Sequence, residues 1–241
     1  RDSMKTRLRS RSAKPSWLLP GAAMLALAAC SILPPRETPD VYVLPPAAAG
    51  APAAQPLPWQ LRVDTPDADG LVADAGIVVM PEPGRITVYA NSRWSSPAPV
   101  LLRQRLMDAF LDTHALPAVT DEDDSLHADF ILSGDLRAFQ TEYRNGAPVV
   151  VVRYDARLRK GGSRDVFAAH SFEVTASPSG AAVPAVVQAF GAASDQLGAQ
   201  LVQWTLAQAQ QDWQKQHATP PAAAAVPSKQ DAHRERRHRH R

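Results

Sequence analysis

Two alternating runs flank a turn in the middle of this chain, and together they decide most of what it can fold into. From Ala128 to Ala138, residues Ala128, Phe130, Leu132, Gly134, Leu136 and Ala138 share one side, while Asp129, Ser133, Asp135 and Arg137 share the other. Val149 to Lys160 repeats the pattern, with Val150, Val152, Tyr154, Ala156 and Leu158 on the apolar side and Arg153, Asp155, Arg157 and Arg159 on the polar side. Between them, Tyr143-Arg144-Asn145-Gly146-Ala147 holds an Asn-Gly pair, whose residues accept positive φ at both centres of a tight turn. The reading is a long antiparallel hairpin with one face in a core and the other in water. A third strand, Val166 to Thr175, follows Gly161-Gly162.

The flanking pattern completes a domain. Trp59 to Val63 alternates as a strand, and Ile77 to Met80 and Ile86 to Ala90 are β-prone runs on either side of the turn Pro81-Glu82-Pro83-Gly84-Arg85. After Ser95-Ser96-Pro97, the apolar residues Leu102, Leu106, Ala109 and Phe110 predict a helix from about Pro97 to Thr113. Val183, Val187, Phe190, Ser194, Leu197, Leu201 and Trp204 predict a second, longer helix, with Pro184 in its first turn and an apolar stripe that fades beyond Ala207. The expected fold is α+β: a mostly antiparallel sheet of five or six strands with two helices packed on one face.

The ends of the chain read differently. A basic leader with Lys5, Arg7, Arg9, Arg11 and Lys14 precedes 13 apolar or small residues, Trp17 to Ala29, which is short for a membrane span and suited to a secretory signal. It ends in Leu27-Ala28-Ala29-Cys30, which resembles a lipobox, so Cys30 is the expected lipidation site (diacylglyceryl, then N-acyl such as palmitate) and residue one of the mature protein. Residues 1–29 are the expected signal peptide, with residues 1–3, before Met4, upstream of the true start. Ser31 in place of aspartate points to the outer membrane rather than the inner, facing the periplasm. Residues 30–58 read as a lipidated N-terminus and Pro/Ala-rich stalk, its 25-residue stretch from Pro34 to Pro58 reaching up to ~80 Å if extended. Tyr42-Val43-Leu44 interrupts it as a candidate first strand at 42–44. Residues 59–216 are the expected domain, and residues 217–241 a disordered Ala/Pro and His/Arg tail.

Composition narrows the function. Cys30 is the only cysteine, so no internal disulfide is available. From Cys30 to Ser228 there are 14 Lys and Arg against 21 Asp and Glu, and this acidic body is a poor match for nucleic acid. Neither G-x-S-x-G, H-E-x-x-H, paired C-x-x-C nor a P-loop occurs. Asp121-Glu122-Asp123-Asp124 lacks the alternating ligands and central glycine of a calcium loop, and His114, His127 and His170 lack metal spacing. The expectation is therefore no catalytic residue, no metal and no cofactor. A binding surface remains, with two candidate locations between which the sequence does not choose: the solvent face carrying Arg153, Arg157 and Arg159, and the edge at Arg93-Trp94, whose indole reads equally as a packed cap on the core.

Tyr42-Val43-Leu44-Pro45, Ile86-Thr87-Val88-Tyr89 leading to Arg93-Trp94-Ser95-Ser96-Pro97, Ala128-Asp129-Phe130-Ile131-Leu132 running to Phe139, and Leu201-Val202-Gln203-Trp204 occur in an order that resembles the ABC-type transport auxiliary lipoproteins, over about residues 30 to 207. The resemblance implies a non-enzymatic component of an MCE-type intermembrane lipid transport system. Such a lipoprotein is held to a membrane by Cys30 and engages a periplasmic MCE-family protein that an inner-membrane ABC transporter serves, with homo-oligomerisation left open. The alternative is a lipoprotein adaptor of another envelope or outer-membrane biogenesis assembly.

Overall fold

The expected hairpin is the spine of the molecule. In the computed structural model, which describes residues 38–47 and 55–218, β6 (Phe130–Arg144) and β7 (Ala147–Lys160) pair antiparallel along their whole length, from Phe130 opposite Lys160 to Arg144 opposite Ala147. Asn145 and Gly146 close the turn with φ of 53° and 78°, the left-handed pair that the sequence foretells. β8 (Val166–Ala176) continues the antiparallel series on β7. The leader, Cys30 and the basic tail lie outside the described residues.

The other edge of β6 corrects the expected topology. The remaining strands are β1 (Asp40–Tyr42), β2 (Leu61–Val63), β3 (Gly76–Glu82), β4 (Arg85–Trp94) and β5 (Val119–Thr120). β2 runs parallel to Phe130–Leu132 and β3 parallel to Gln140–Glu142, so two strands share the edge that β7 leaves free. β4 pairs antiparallel with β3, β1 pairs parallel with β4, and β5 pairs parallel with β2. The sheet thus has eight strands and is mixed, with four parallel pairings out of seven, rather than five or six mostly antiparallel strands. The reason is physical: tight turns announce antiparallel neighbours locally, whereas parallel partners meet only through long crossovers that leave no local pattern.

Two helices cover one face. α1 (Ala98–Leu111) buries Leu101, Leu102, Leu106 and Phe110, and α2 (Val183–His217) buries Val186, Phe190, Ala193, Leu197 and Leu201, in the same core as Trp59, Leu132, Val152 and Leu158 from the sheet. The last turns of α2 are held by individual contacts instead of an apolar stripe. Trp59 Nε1 donates to Gln210 Oε1 at 3.0 Å, Lys160 pairs with Asp212 at 3.2 Å, and the Trp213 ring meets Phe130 edge-on at 6.4 Å. Trp204, at the end of the expected stripe, is half-buried against Phe172.

A bulge at Arg137 changes which residues face the core. Leu136 registers with Tyr154 on the inner side, but Ala138 registers with Arg153 on the outer side and Phe139 with Val152 on the inner. Ala138, expected inward, therefore lies on the opposite face, and Phe139 takes its place in the core. The start of the body also moves. Residues 40–42 belong to the sheet, upstream of the expected strand at 42–44, and the Leu57 amide donates to Ala115 O before the expected boundary at Trp59.

Candidate functional site

β7 projects Arg153, Arg157 and Arg159 from the outer face of the sheet, as the alternation requires, and each finds a carboxylate there. Arg153 Nη2 pairs with Glu173 at 2.7 Å, Arg157 Nη1 with Asp135 at 2.6 Å and Arg159 Nη2 with Asp64 at 3.3 Å. Arg137 joins in, 2.8 Å from Asp155 and 3.6 Å from Asp135, and Arg62 reaches Asp64 at 2.7 Å. The cross-strand register makes these pairs: Asp135 lies opposite Asp155, and Arg153 opposite Glu173, on neighbouring strands. What the sequence offers as a cationic face is a ladder of alternating charge.

The ladder shifts its own ionisation. The hydrogen bond from Arg157 holds the Asp135 carboxyl below the usual range against partial burial, and those from Ser171 and Arg137 do the same for Asp155. The guanidinium of Arg157 is raised in turn by Asp135. Carboxylates with lowered folded-state values contribute stability that is present above their unfolded value, near pH 4, and lost as pH falls through the folded one. Denaturation midpoints are therefore expected to hold the full contribution of these groups, unchanged with pH, between pH 5 and 8 and to decline below about pH 4. The double variant D135N/D155N should show a shallower acid decline than the parent; identical slopes would remove the ladder from the acid response.

The second candidate location divides into two unlike residues. Trp94 is fully buried, edge-on to Phe139 at 5.9 Å and to Phe190 at 5.3 Å, so it belongs to the core. Arg93 is exposed on β4, with Nε donating to its neighbour's carbonyl, Trp94 O, at 3.2 Å. Since β3 and β6 separate β4 from β7, Arg93 and the β7 arginines do not form one cluster.

A further constellation escaped the sequence reading. Arg105 of α1, only 6% exposed in its side chain, pairs with Asp195 of α2 at 2.6 Å and donates from Nη2 to the carbonyl of Pro45, just beyond β1. The ring of Pro45 packs on Gly191, where any Cβ would approach Pro45 Cδ to 2.9 Å. Arg105 thus fastens the residues after β1 to both helices at once. The one signal in the sequence is a cation within the apolar stripe Leu101, Leu102, Leu106. A similar device pins the acidic run, whose Asp121 and Glu122 lie 3.4 and 3.2 Å from Arg103 Nη1.

A cavity of about 460 Å³ opens where the edge of β6 lies between β2 and β3, lined by Asp67, Asp69, Asp135, Arg137 and the apolar Ala68 and Leu136. Among the described residues, the bridge of Asp67 to Asp135 is the one strand-like contact closing that stretch of edge. Beneath it Tyr154 lies over Gly134, where a Cβ would fall 2.7 Å from the ring, and burial raises its hydroxyl well above the usual value. No helix among the described residues is long and apolar enough to cross a membrane.

Comparison with known proteins adds the family. The sequence pattern of the ABC-type transport auxiliary lipoprotein component matches residues 42–202. A crystal structure of a Xanthomonas campestris protein superposes with a TM-score of 0.65 at 30% identity, covering 72% of this chain and 99% of that one. A second crystal structure, of an uncharacterized protein, gives 0.56 at 17% identity over 70% and 99% of the two chains, a likeness of fold. Curated proteins give no match.

Proposed function

This chain belongs to the ABC-type transport auxiliary lipoprotein family, and from that membership we propose that it is a non-catalytic, membrane-anchored component of an MCE-type intermembrane lipid transport system, docking or gating the periplasmic conduit. In this reading Cys30 carries the lipid, the anchor lies in the outer membrane, and the partner is a periplasmic MCE-family protein. The observation that carries it is the Arg105 fastening: residues 40–45, which follow the anchor in the chain, are tied through Arg105, Asp195 and Pro45 to both helices. A tether joined to the core at that point transmits position from membrane to body, as a docking piece requires.

The test is crosslinking in intact envelopes. A periplasmic MCE-family protein should be recovered with this chain, and deletion of the chain should weaken the barrier to membrane-active compounds. Recovery of an unrelated outer-membrane assembly alone would replace the MCE reading with that of a lipoprotein adaptor. Turnover of a substrate by the purified protein would defeat both.

A further inference from the structure

Exposed apolar side chains are unevenly distributed over the described residues. Of seven large hydrophobics that are exposed, Val41, Val43, Ile86 and Val88, at 60%, 63%, 47% and 38%, lie on the neighbouring strands β1 and β4 or one residue past β1. Val41, Ile86 and Val88 also share a side. Register places Val41 beside Arg93, Arg93 beside Gly76, and Val88 beside Val78, so Val41, Arg93 and Val88 all stand on the outer face of the sheet. Ile86, two residues from Val88 on β4, continues the same side by alternation. Gly76 makes the packing possible, since a Cβ there would fall 2.5 Å from Val88 Cγ1. Val78, Ala138 and Val151, on the strands beside the strip, stand on this same outer face and are buried.

Charge divides that face in two. At the β7 end every arginine is held by a carboxylate, whereas Arg93 makes no ion pair among the described residues and is exposed within the apolar strip. Asp40, its near neighbour on β1, registers with Ser92 on the other side. A guanidinium whose stem lies on apolar surface and whose head has no carboxylate partner, only Nε donating to Trp94 O, suits the boundary between acyl chains and phosphates.

Chain length selects the occupant. Only residues 31–39 separate Cys30 from β1, and at 3.3–3.6 Å per residue they span at most about 30 Å. Every other described element is farther from Cys30 along the chain. We propose that the outer side of the β1–β4 edge, with Val41, Ile86, Val88 and Arg93, is a second membrane contact that lies on the headgroup layer of the bilayer holding the anchor. The proposal deepens the reading above and rests on its lipidated Cys30. It turns a tether into a two-point attachment, and so fixes which side of the body faces the periplasm.

The experiment uses the full chain purified from membranes and placed in vesicles of phosphatidylethanolamine and phosphatidylglycerol containing brominated lipid. An environment-sensitive fluorophore is attached through Val41→Cys or Val88→Cys, and through Ala169→Cys on exposed β8 as the distant control, with the parent chain giving any background label at Cys30. Quenching at 41 and 88 with none at 169 is the expected result. No quenching at 41 and 88 in an acylated chain, or equal quenching at 169, overturns the contact. A blue shift at 41 that follows protein concentration in detergent without vesicles overturns it in favour of a second copy. Mass spectrometry reads acylation separately: an unacylated chain still quenched at 41 and 88 keeps the contact and loses the anchor, and one quenched at neither loses both.

Discussion

Replacing Trp94 with alanine is expected to lower the unfolding free energy by about 3–5 kcal/mol, the range for deleting a fully buried indole. Trp94 ends β4 and enters a three-ring cluster in which Phe139 of β6 and Phe190 of α2 stack at 4.6 Å, so its loss opens a void between sheet and helix at once. Its Nε1–H finds no acceptor among the described residues, so packing rather than hydrogen bonding carries the effect. W94F therefore separates the two: it keeps a ring, removes an unpaired donor, and should cost only about 1–2 kcal/mol. Urea unfolding followed by circular dichroism measures both. Equal losses in the two variants would mean that the indole nitrogen, not ring volume, stabilises this corner.

Trp94 also marks where sequence reading reaches its limit. Alternation, the Asn-Gly turn and the proline positions of both helices are short-range signals, and the hairpin, α1 and α2 are found close to where those signals put them. Whether Arg93 or Trp94 faced solvent was not decidable from them, because residues 90–92 break the register of β4 and Asn91 adopts φ of 50°. The bulge at Arg137 has the same effect, sending Ala138 outward and Phe139 inward with no change in composition to announce it. The outer arginines were legible as a face, yet their neutralisation depends on which carboxylates two strands bring opposite them. That is a property of register between distant segments. Parallel partners, β2 with β6 and β3 with β6, lie beyond any window of neighbouring residues for the same reason.

The Arg105 fastening should respond asymmetrically to losing either partner. Arg105 is nearly enclosed, with 6% of its side chain exposed, while Asp195 keeps 26%. Asp195→Ala leaves a buried guanidinium with only the neutral Pro45 carbonyl as its named acceptor, and should cost about 2–4 kcal/mol, somewhat below the range for fully enclosed pairs because water reaches the acid. Arg105→Leu places an apolar side chain among Leu101, Leu102 and Leu106, takes one partner from the partly exposed Asp195, and should cost only about 1 kcal/mol. Its consequence is local instead. Pro45 loses its hold on the helices, β1 is left with three residues of pairing to β4, and the Ser95 amide, which donates to Tyr42 O at 2.7 Å, should exchange with solvent faster while amides of β6 and β7 stay protected. Hydrogen exchange resolved at Ser95, beside melting of both variants, decides the matter. If Arg105→Leu destabilises the whole domain as much as Asp195→Ala and leaves Ser95 unchanged, then Arg105 is a core strut and not the fastener that couples the tether to the body.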